Sequence, residues 1–474
     1  MNYGSLIIEI LTALVGLGLL TMGLVVPREQ RKGIGFFAVF ALVIIFVISL
    51  FTGGKTVSLF NGLYVIDALS IFFKQLFLIA AILVVAMSID YSDKLQENKG
   101  EFFALMVFAL LGMMVMVSAY DFVTLYVGME LMTITFIVLT AYEKGNLKSS
   151  EAGMKYILLS AMSSAIMLYG FSIFYGLTGA TGFSEVISFL QTGAISPITV
   201  LAIILVLAGF GFKVSAVPFH MWSPDIYEGA PTPVTAFLAV GSKAAGFAVL
   251  IRLFLQVFPA THSIFALLIV VMAAMTMIIG NFIAIPQTNI KRMLAYSSIA
   301  HAGYIMLGIV AFTKAGIGAM LYYMLLYVFA NVGAFAAITA FSNQTGSDEI
   351  KDLTGMWKRS PFLAGILLLS LLSLAGIPPA AGFVGKFFLF AAIIKQGYLW
   401  LAALALAMSM VSVYYYVVVI KVLLMGDVED DTPIQVPAPI KTVMVVAAGM
   451  TLFMGLYPGP ITTWTTNVAS WFLK

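Results

Sequence analysis

The stretch GFGFKVSAVPFHMWSPDIYEGAPTP, from Gly209 to Pro233, decides the fold. It begins as the end of an apolar helix, but it then carries Lys213, His220, Asp225, Glu228 and four prolines. Proline removes a backbone donor and clashes with the preceding turn, so the helix is predicted to break here. A charge at the centre of a bilayer costs about 3 kcal/mol on insertion scales. A lysine beside a broken apolar helix therefore indicates a site that is retained for a function.

The composition around this stretch is that of a membrane protein. Of 474 residues, 62% are hydrophobic and 9% are charged, which is far from the balance of a soluble domain. The absence of cysteine excludes disulfides, thiolate metal sites, cysteine-ligated iron–sulfur clusters and c-type haem. The net charge of +3 and the lack of a basic run indicate that nucleic acid is not a partner.

Fourteen apolar segments are long enough to cross a bilayer core, which needs about 20 helical residues. They are residues 5–26, 34–52, 64–89, 102–119, 121–142, 151–179, 197–217, 232–256, 263–285, 289–313, 316–341, 361–396, 398–425 and 439–457. The sequence predicts an all-α polytopic protein with a single membrane domain, 1–474. Within it we expect helices 1–3 in 1–101, a five-helix repeat in 102–256, a second repeat in 263–425 and a C-terminal helix in 439–474.

A second segment resembles the opening stretch in its pattern. The twelfth span contains SLAGIPPAAGFVGKFF, in which glycines and two prolines come directly before Lys386. The stretch 361–396 would be about 54 Å long as one straight helix, too long for one crossing, so a bend is expected. Breaks in spans 7 and 12 are five spans apart. Because five is odd, spans 4–8 and 9–13 would form two repeats inverted with respect to each other.

Basic residues in the loops predict the orientation, because cytoplasmic loops carry an excess of Lys and Arg. If the first connection is cytoplasmic, 14 loop residues fall on that side and 4 on the other. Both termini are therefore predicted on the outer side.

Charged and titratable residues inside the spans are the candidates for function, and we interpret them as a proton relay. The candidates are Glu130, Lys155, Lys213, Lys243, His301 and Lys386, with His220 as a further proton-carrying or hydrogen-bonding group beside the break. A buried lysine favours the neutral amine, whereas a nearby carboxylate restores the charged form, so a lysine whose partner can move is a proton switch. Glu130 is expected to pair with Lys213 or Lys155.

The alternative for each residue is a structural ion pair or a side chain that reaches the interface. We apply that interpretation to Lys74 and Arg252, near span ends, and expect Glu9 and Asp67 to cap helices or contact a partner chain. A metal-dependent enzyme using His220, Asp225 and Glu228 is a further alternative, although the spacing fits no zinc pattern. A free-standing solute transporter is another.

Three stretches closely resemble the antiporter-like subunits of respiratory complex I. They are KVSAVPFHMWSPDIYEGAPTPVTAFLAVGSKAAGFAVLIR from Lys213, NIKRMLAYSSIAHAGY from Asn289 and LAGIPPAAGFVGKF from Leu374. The segments EGAPTPVTAFL and KAAGFA are most similar to those of the smallest of the three subunit types in that family. The resemblance covers spans 4–13.

The resemblance implies a proton-translocating subunit with fourteen helices and two inverted repeats in an energy-transducing membrane, such as the bacterial inner membrane. It implies that this chain holds no redox cofactor, and that NADH, FMN, iron–sulfur clusters and quinone bind to partner subunits. Neighbouring antiporter-like and small membrane subunits would be its partners. The relay residues would match those of helix 5 (Glu130), helix 6 (Lys155), broken helix 7 (Lys213), helix 8 (Lys243), helix 10 (His301) and broken helix 12 (Lys386). A sodium/proton antiporter subunit, or an ion-pumping subunit of a membrane-bound hydrogenase, shares these features.

The two halves of this relay differ in one respect. The eleventh span carries no acidic or basic side chain, so the second half lacks a copy of the Glu130 and Lys155 pair. Proton exit is therefore predicted through Lys386 and water.

Overall fold

The structure, a computed structural model, is 84% helical and confirms the all-α membrane architecture. It describes residues 3–27, 30–52, 56–95, 99–192, 195–426 and 432–472, with only the backbone for residues 3 and 262–264. In this part of the chain, twelve helices are long and apolar enough to cross a membrane, and Pro197–Lys213 and Pro361–Ala375 are shorter apolar helices. At least one helix lies in each of the fourteen predicted segments. The number of crossings stays a prediction.

The helices in chain order are α1 (Ile7–Val25), α2 (Lys32–Leu50), α3 (Ala68–Tyr91), α4 (Lys99–Ser118), α5 (Phe122–Thr140), α6 (Leu147–Thr178), α7 (Phe183–Thr192), α8 (Pro197–Lys213), α9 (Trp222–Gly229), α10 (Thr232–Phe237), α11 (Lys243–Arg252), α12 (His262–Ala284), α13 (Ile290–Ala311), α14 (Lys314–Thr345), α15 (Met356–Arg359), α16 (Pro361–Ala375), α17 (Ala381–Lys395), α18 (Leu399–Leu424), α19 (Ala438–Leu456) and α20 (Gly459–Phe472). Helices α10 and α11 belong to one continuous span, Thr232–Val257, with π-helical turns at Leu238–Ser242 and Leu253–Val257.

Both predicted breaks are confirmed. Helix α8 ends at Lys213 and α9 begins at Trp222, while α16 ends at Ala375 and α17 begins at Ala381. Irregular backbone at membrane depth must find hydrogen-bond partners within the protein or in water. Side chains supply them here: Trp222 Nε1 donates to the Phe212 carbonyl at 2.8 Å, and the Val217 amide donates to Thr276 Oγ1 at 2.9 Å. The first break is therefore held in place by packed side chains.

The core of the bundle surrounds three spans that are buried on every side: Thr232–Val257, Ile290–Ala311 and Lys314–Thr345. A helix that is apolar all round belongs in the interior, whereas α1, α2, α6 and α19 expose much of their surface. Helix α14 packs against α13, α16, α17, α19 and α20. The second break therefore packs directly against this fully buried span.

Several short elements were not predicted. Strands β1 (Val57–Leu59) and β2 (Tyr64–Ile66) form an antiparallel hairpin, and α7 and α20 are short helices of 10 and 14 residues. The third predicted span, 64–89, included strand β2 because its residues are apolar. Short elements have too few residues for a clear periodicity, so the apolar run was assigned to the helix that follows.

The orientation and the inverted repeats stay predictions. Three of the loop residues used for the orientation, Arg28, Lys55 and Lys474, lie outside the described residues.

Helix α19 packs on the second break through a glycine, which gives a test of the fold. A Cβ at Gly455 would lie 2.0 Å from the carbonyl oxygen of Pro379. We expect Gly455→Ala to cost about 1–3 kcal/mol of stability, because backbone atoms would have to shift, and to lower the unfolding temperature of the detergent-solubilised protein. Gly449→Ala is the matched control on the same helix, because a Cβ there meets nothing within 4 Å. Equal unfolding temperatures in the two variants would contradict this packing.

Candidate functional site

Three of the predicted relay residues are lysines buried in the protein interior. Lys213, Lys243 and Lys386 are 2%, 3% and 4% exposed. Lys213 is the last residue of α8, Lys243 is the first residue of α11, and Lys386 lies in the second turn of α17. The π-helical turn Leu238–Ser242 comes directly before Lys243, and such turns are frequent at functional sites. Each lysine is thus placed by an irregularity of its helix.

Neutral oxygens are the hydrogen-bond partners of these lysines. Lys213 Nζ donates to Thr133 Oγ1 at 2.7 Å, and Lys243 Nζ donates to Ser298 Oγ. Lys386 Nζ donates to the Ala375 carbonyl at 2.8 Å and to Ser409 Oγ at 2.9 Å. In the described part of the chain no carboxylate forms an ion pair with any of the three. They therefore lack the counter-ion that normally accompanies a buried ammonium group.

The other buried cations have carboxylate partners. Lys74 Nζ lies 2.5 Å from Glu9 Oε1, and Tyr64 donates to the same oxygen at 2.6 Å. Arg252 donates through Nη1 and Nη2 to the two carboxylate oxygens of Asp67, at 3.0 and 3.1 Å.

These paired cations are structural ion pairs inside the protein, which is one of the two roles that the sequence predicted for them. Lys74 is 1% exposed and Arg252 is 2% exposed, because a carboxylate from another element neutralises each. Their structural role agrees with the sequence analysis. Asp67 also caps α3 as expected, by accepting from the Ser70 amide at 2.8 Å.

Glu130 is close to the Lys213 site but does not contact the lysine directly. The hydroxyl of Ser164 donates to its carboxylate at 2.6 Å. Thr133, the acceptor of Lys213, lies three residues further along α5, and residues at this spacing share one face of a helix. The charge of Glu130 acts on Lys213 through space, but no ion pair joins Glu130 to Lys213 or Lys155 among the described residues. The expected pairing is replaced by hydroxyl contacts.

Lys155 lies apart from the buried lysines. It is 42% exposed and pairs with Asp225 and Glu151, each at 2.8 Å. Helix α6 has 32 residues, about 48 Å at 1.5 Å per residue, which exceeds the bilayer core. Part of this helix therefore extends beyond a bilayer core, and Lys155 lies about two turns from its first residue. The depth of Lys155 relative to the membrane stays a prediction.

Lys155 belongs to a cluster of six charged side chains. We call it the surface cluster; it consists of Lys148, Glu151, Lys155, Asp225, Glu228 and Arg292, around a cavity of about 170 Å³. Arg292 Nη1 lies 2.7 Å from Asp225 Oδ1 and 3.1 Å from Glu228 Oε2, and Lys148 pairs with Glu228 at 3.1 Å. Burial acts to raise the pKa of Asp225, but hydrogen bonds from Lys155 and Arg292 outweigh it and hold that pKa below its ordinary value. The two acids of the opening stretch are thus engaged in ion pairs that tie α9 to α6 and α13.

The two histidines occupy different environments. His220 is buried in the first break, and its Nδ1 has no hydrogen-bond partner among the described residues. His301 on α13 is also buried, but Tyr323 binds its Nδ1 at 2.7 Å and Tyr416 binds its Nε2 at 3.2 Å. The structure therefore places His301 in a closed polar network and leaves His220 with an unused ring nitrogen.

Hydroxyl side chains are the part of the site that the sequence analysis missed. Thr133, Ser298 and Ser409 accept from the three lysines, and tyrosines surround His301. A signal was available, because Ser298 precedes His301 by three residues, just as Thr133 follows Glu130 by three. This spacing places a hydroxyl on the same helix face as a titratable residue.

Comparison with known proteins identifies the family. Residues 119–412 match the model of the family described as NADH:quinone oxidoreductase/Mrp antiporter, transmembrane. This range contains every candidate relay residue and both breaks. The chain belongs to this family.

Individual members of the NADH:quinone oxidoreductase/Mrp antiporter family agree with this result. NADH-quinone oxidoreductase subunit N of Moorella thermoacetica is 53% identical over 472 residues, which cover 99% of each chain. A chain in the structure of respiratory complex I from Thermus thermophilus is 32% identical, with a TM-score of 0.81 over 96% of this chain and 99% of that one. A chain of the Mrp complex from Dietzia sp. has the same fold, with a TM-score of 0.87 over 100% of this chain and 98% of that one, at 19% identity.

The surface cluster predicts a pH dependence of stability. Because the pKa of Asp225 is depressed in the folded protein, its stabilising contribution is fully present above its ordinary pKa of about 4 and is lost as the pH falls through the folded value. We expect Asp225→Asn to be less stable than the parent by about 1 kcal/mol at pH 7. The difference should vanish in strong acid.

Thermal unfolding of the two detergent-solubilised proteins across this pH range is the measurement. Lys314→Gln, a change of a charged residue at the start of α14 and outside the surface cluster, is the control. A stability difference that does not change with pH would contradict the assigned pairing.

Proposed function

We propose that this chain is the N-type membrane subunit of an NADH-quinone oxidoreductase and that it translocates protons while quinone is reduced in partner subunits. The family membership and the 53% identity to a subunit N over nearly the whole chain support this proposal. The likeness to a complex I chain over 96% of this chain supports the assignment to such an assembly.

The observation that carries the proposal is the contrast between two classes of buried cation. Lys74 and Arg252 have carboxylate partners, as expected of structural cations. Lys213, Lys243 and Lys386 have only hydroxyl and carbonyl acceptors among the described residues. A buried amine without a counter-ion is near the balance between its charged and neutral forms. This property is needed for a group that gains and loses a proton, and it serves no purpose in a structural cation.

The arrangement suggests how a proton moves from one amine to the next. A proton on one lysine raises the electrostatic potential at its neighbours, because charges interact strongly where the dielectric constant is low. We propose that loading of Lys213, favoured by the through-space charge of Glu130, drives protons onward through Lys243 and His301 to Lys386. A cavity of about 10 Å³ beside Lys243 and Ser298 has room for about one bridging water.

The position of Glu130 supports contact with a neighbouring membrane subunit. Its side chain is half-buried, and Val127 and Ile134 on the same helix are 58% and 56% exposed. A carboxylate facing lipid would be costly. We propose that a partner subunit of the complex covers this face of α5, so that the charge of Glu130 responds to that neighbour.

We also propose that the redox chemistry takes place in partner subunits. Iron–sulfur clusters need thiolate ligands, and this chain has no cysteine. NADH, FMN, the iron–sulfur clusters and the quinone would therefore bind to other chains of the complex.

For the orientation, we propose that both termini face the outer side of the membrane. This would place the surface cluster on the cytoplasmic side as a point of proton entry.

Protons, rather than sodium ions, are the proposed cargo. Sodium sites in membrane transporters use the backbone carbonyls freed at broken helices. At the second break, the Ala375 carbonyl already accepts from Lys386 Nζ. A protonated amine there repels a metal cation. We expect proton translocation by vesicles of the complex to be equal in sodium-free and sodium-rich buffers, with the rate of quinone reduction as control. A requirement for sodium would favour the sodium/proton antiporter alternative.

Replacement of a buried lysine tests the relay. We expect Lys213→Ala to remove the contribution of this chain to proton translocation, because loss of a positioned proton carrier slows transfer roughly 100-fold or more. The number of protons translocated per NADH in inverted vesicles is the measurement, together with the amount of assembled complex. Lys395→Ala, at the exposed end of α17, is the control. Full translocation in Lys213→Ala would reject the relay.

Arginine substitution separates a proton carrier from a structural cation. Arginine stays protonated in proteins, so Lys386→Arg keeps the charge but cannot release a proton. We expect this variant to be as defective in translocation as Lys386→Ala while the complex assembles. Wild-type translocation in Lys386→Arg would instead assign Lys386 to a structural role.

A further inference from the structure

Both ring nitrogens of His301 are occupied by tyrosine hydroxyls from two other helices. Tyr323 of α14 lies 2.7 Å from Nδ1, and Tyr416 of α18 lies 3.2 Å from Nε2. The ring is 2% exposed, and the two tyrosines are 1% and 0% exposed. In this arrangement, any proton that enters or leaves the imidazole passes through one of these two hydroxyls.

The surroundings of the ring are aromatic and closely packed. The ring centroids of Tyr327 and Tyr304 lie 5.2 Å and 5.9 Å from that of His301. The Tyr416 hydroxyl forms a second hydrogen bond with Ser297 Oγ. Ser297 is itself 2% exposed, so the chain of hydroxyl groups continues inside the protein.

His301 is positioned between the second and third lysines. Lys386 Nζ lies 5.0 Å from the centroid of the Tyr304 ring, which is 5.9 Å from that of His301. Lys243 donates to Ser298, which follows Ser297 in the chain. On the other side, a Cβ at Gly385 would lie 2.7 Å from the Tyr323 ring, and Gly385 precedes Lys386. The Tyr416 hydroxyl therefore binds the residue of α13 next to the one that accepts from Lys243, and the Tyr323 ring packs against Gly385, next to Lys386.

Around Lys243, unlike around His301, several buried polar atoms have no hydrogen-bond partner among the described residues. His220 Nδ1, Tyr227 Oη, Ser242 Oγ and Tyr327 Oη are buried and have no partner among the described residues. Buried polar atoms of this kind ordinarily bind ordered water. Water is thus expected up to Lys243, whereas the His301 nitrogens are already satisfied by protein groups.

We propose that the hydroxyl groups of Tyr416 and Tyr323 transfer the proton into and out of the His301 ring, so that this segment of the pathway consists of side chains instead of water. This inference rests on the proposed function.

The proton balance of the step is simple. Ser297 takes up a proton that arrives from the Lys243 side and gives its own hydroxyl proton to Tyr416, so Ser297 is neutral again, and Tyr416 gives its proton to Nε2. The imidazolium then releases the Nδ1 proton to Tyr323, whose own hydroxyl proton leaves toward Lys386. Each tyrosine ends neutral, and one proton moves from one side of the ring to the other. Rotation of the hydroxyl groups and return of the ring to its first tautomer complete the cycle.

Phenylalanine substitutions test the step because they keep the packed ring and remove only the hydroxyl. In vesicles containing the complete complex, we expect Tyr323→Phe and Tyr416→Phe each to lower the protons translocated per NADH to the value of Lys213→Ala. The double variant should lose no more than the single ones, because the two hydroxyls act in series. The rate of NADH oxidation in the same vesicles is recorded, so that the ratio is corrected for turnover.

Tyr322→Phe is the matched control. Tyr322 is the chain neighbour of Tyr323 on α14, is equally buried, and donates to the Met454 carbonyl at 2.6 Å instead of binding His301. A wild-type ratio in either test variant would overturn the inference, as would an equal loss in Tyr322→Phe, which would indicate a packing defect. If one test variant does not assemble, the other decides by the same criteria.

The same preparation separates failure of this inference from failure of the proposed function. If Lys213→Ala and Lys386→Ala lose translocation while a tyrosine variant keeps it, only the tyrosine step is wrong. If the lysine variants also translocate normally, the proposed function is wrong and the tyrosine step falls with it.

Discussion

The cost of an ammonium group that is buried without a carboxylate is the constraint on which the structure depends. Such a group loses its hydration, and a hydroxyl or carbonyl oxygen returns only part of that free energy. This cost applies to Lys213, Lys243 and Lys386, which have only neutral acceptors among the described residues. Lys74, in the same bundle, is paired with Glu9 instead. The chain therefore pairs a buried lysine with a carboxylate outside the proposed pathway. The three unpaired amines are a property of the site rather than of the fold in general.

The helix breaks are the structural answer to that constraint. An intact membrane helix uses all of its carbonyl groups internally, so it offers none to a neighbouring cation. The end of α16 leaves the Ala375 carbonyl free for Lys386, and the left-handed Gly376 beside it, with φ of +85°, has no Cβ to obstruct the lysine. The fully buried spans that contain Lys243, His301 and Tyr323 enclose the rest of the pathway. Fold and site thus depend on the same irregular segments.

The sequence was sufficient for the helices and both breaks, because length, apolar content and proline positions are local properties. It also located the buried lysines, since a charge in an apolar span is conspicuous. Contacts between helices could not be obtained in this way. Lys155 looked like Lys213 in the sequence, but its partner Asp225 comes 70 residues later. Likewise, nothing local distinguishes Tyr323, which binds His301, from Tyr322, which binds the Met454 carbonyl.

Helix α5 carries Glu130 on one turn and Thr133 on the next, and this arrangement has a mechanical consequence. A rigid helix transmits a push at its surface to every residue it bears. If a neighbouring subunit shifted or rotated α5 from its lipid-side face, the Glu130 carboxylate would move. The same movement would withdraw Thr133 Oγ1, which accepts the hydrogen bond from Lys213. How firmly Lys213 holds a proton would then depend on the position of α5.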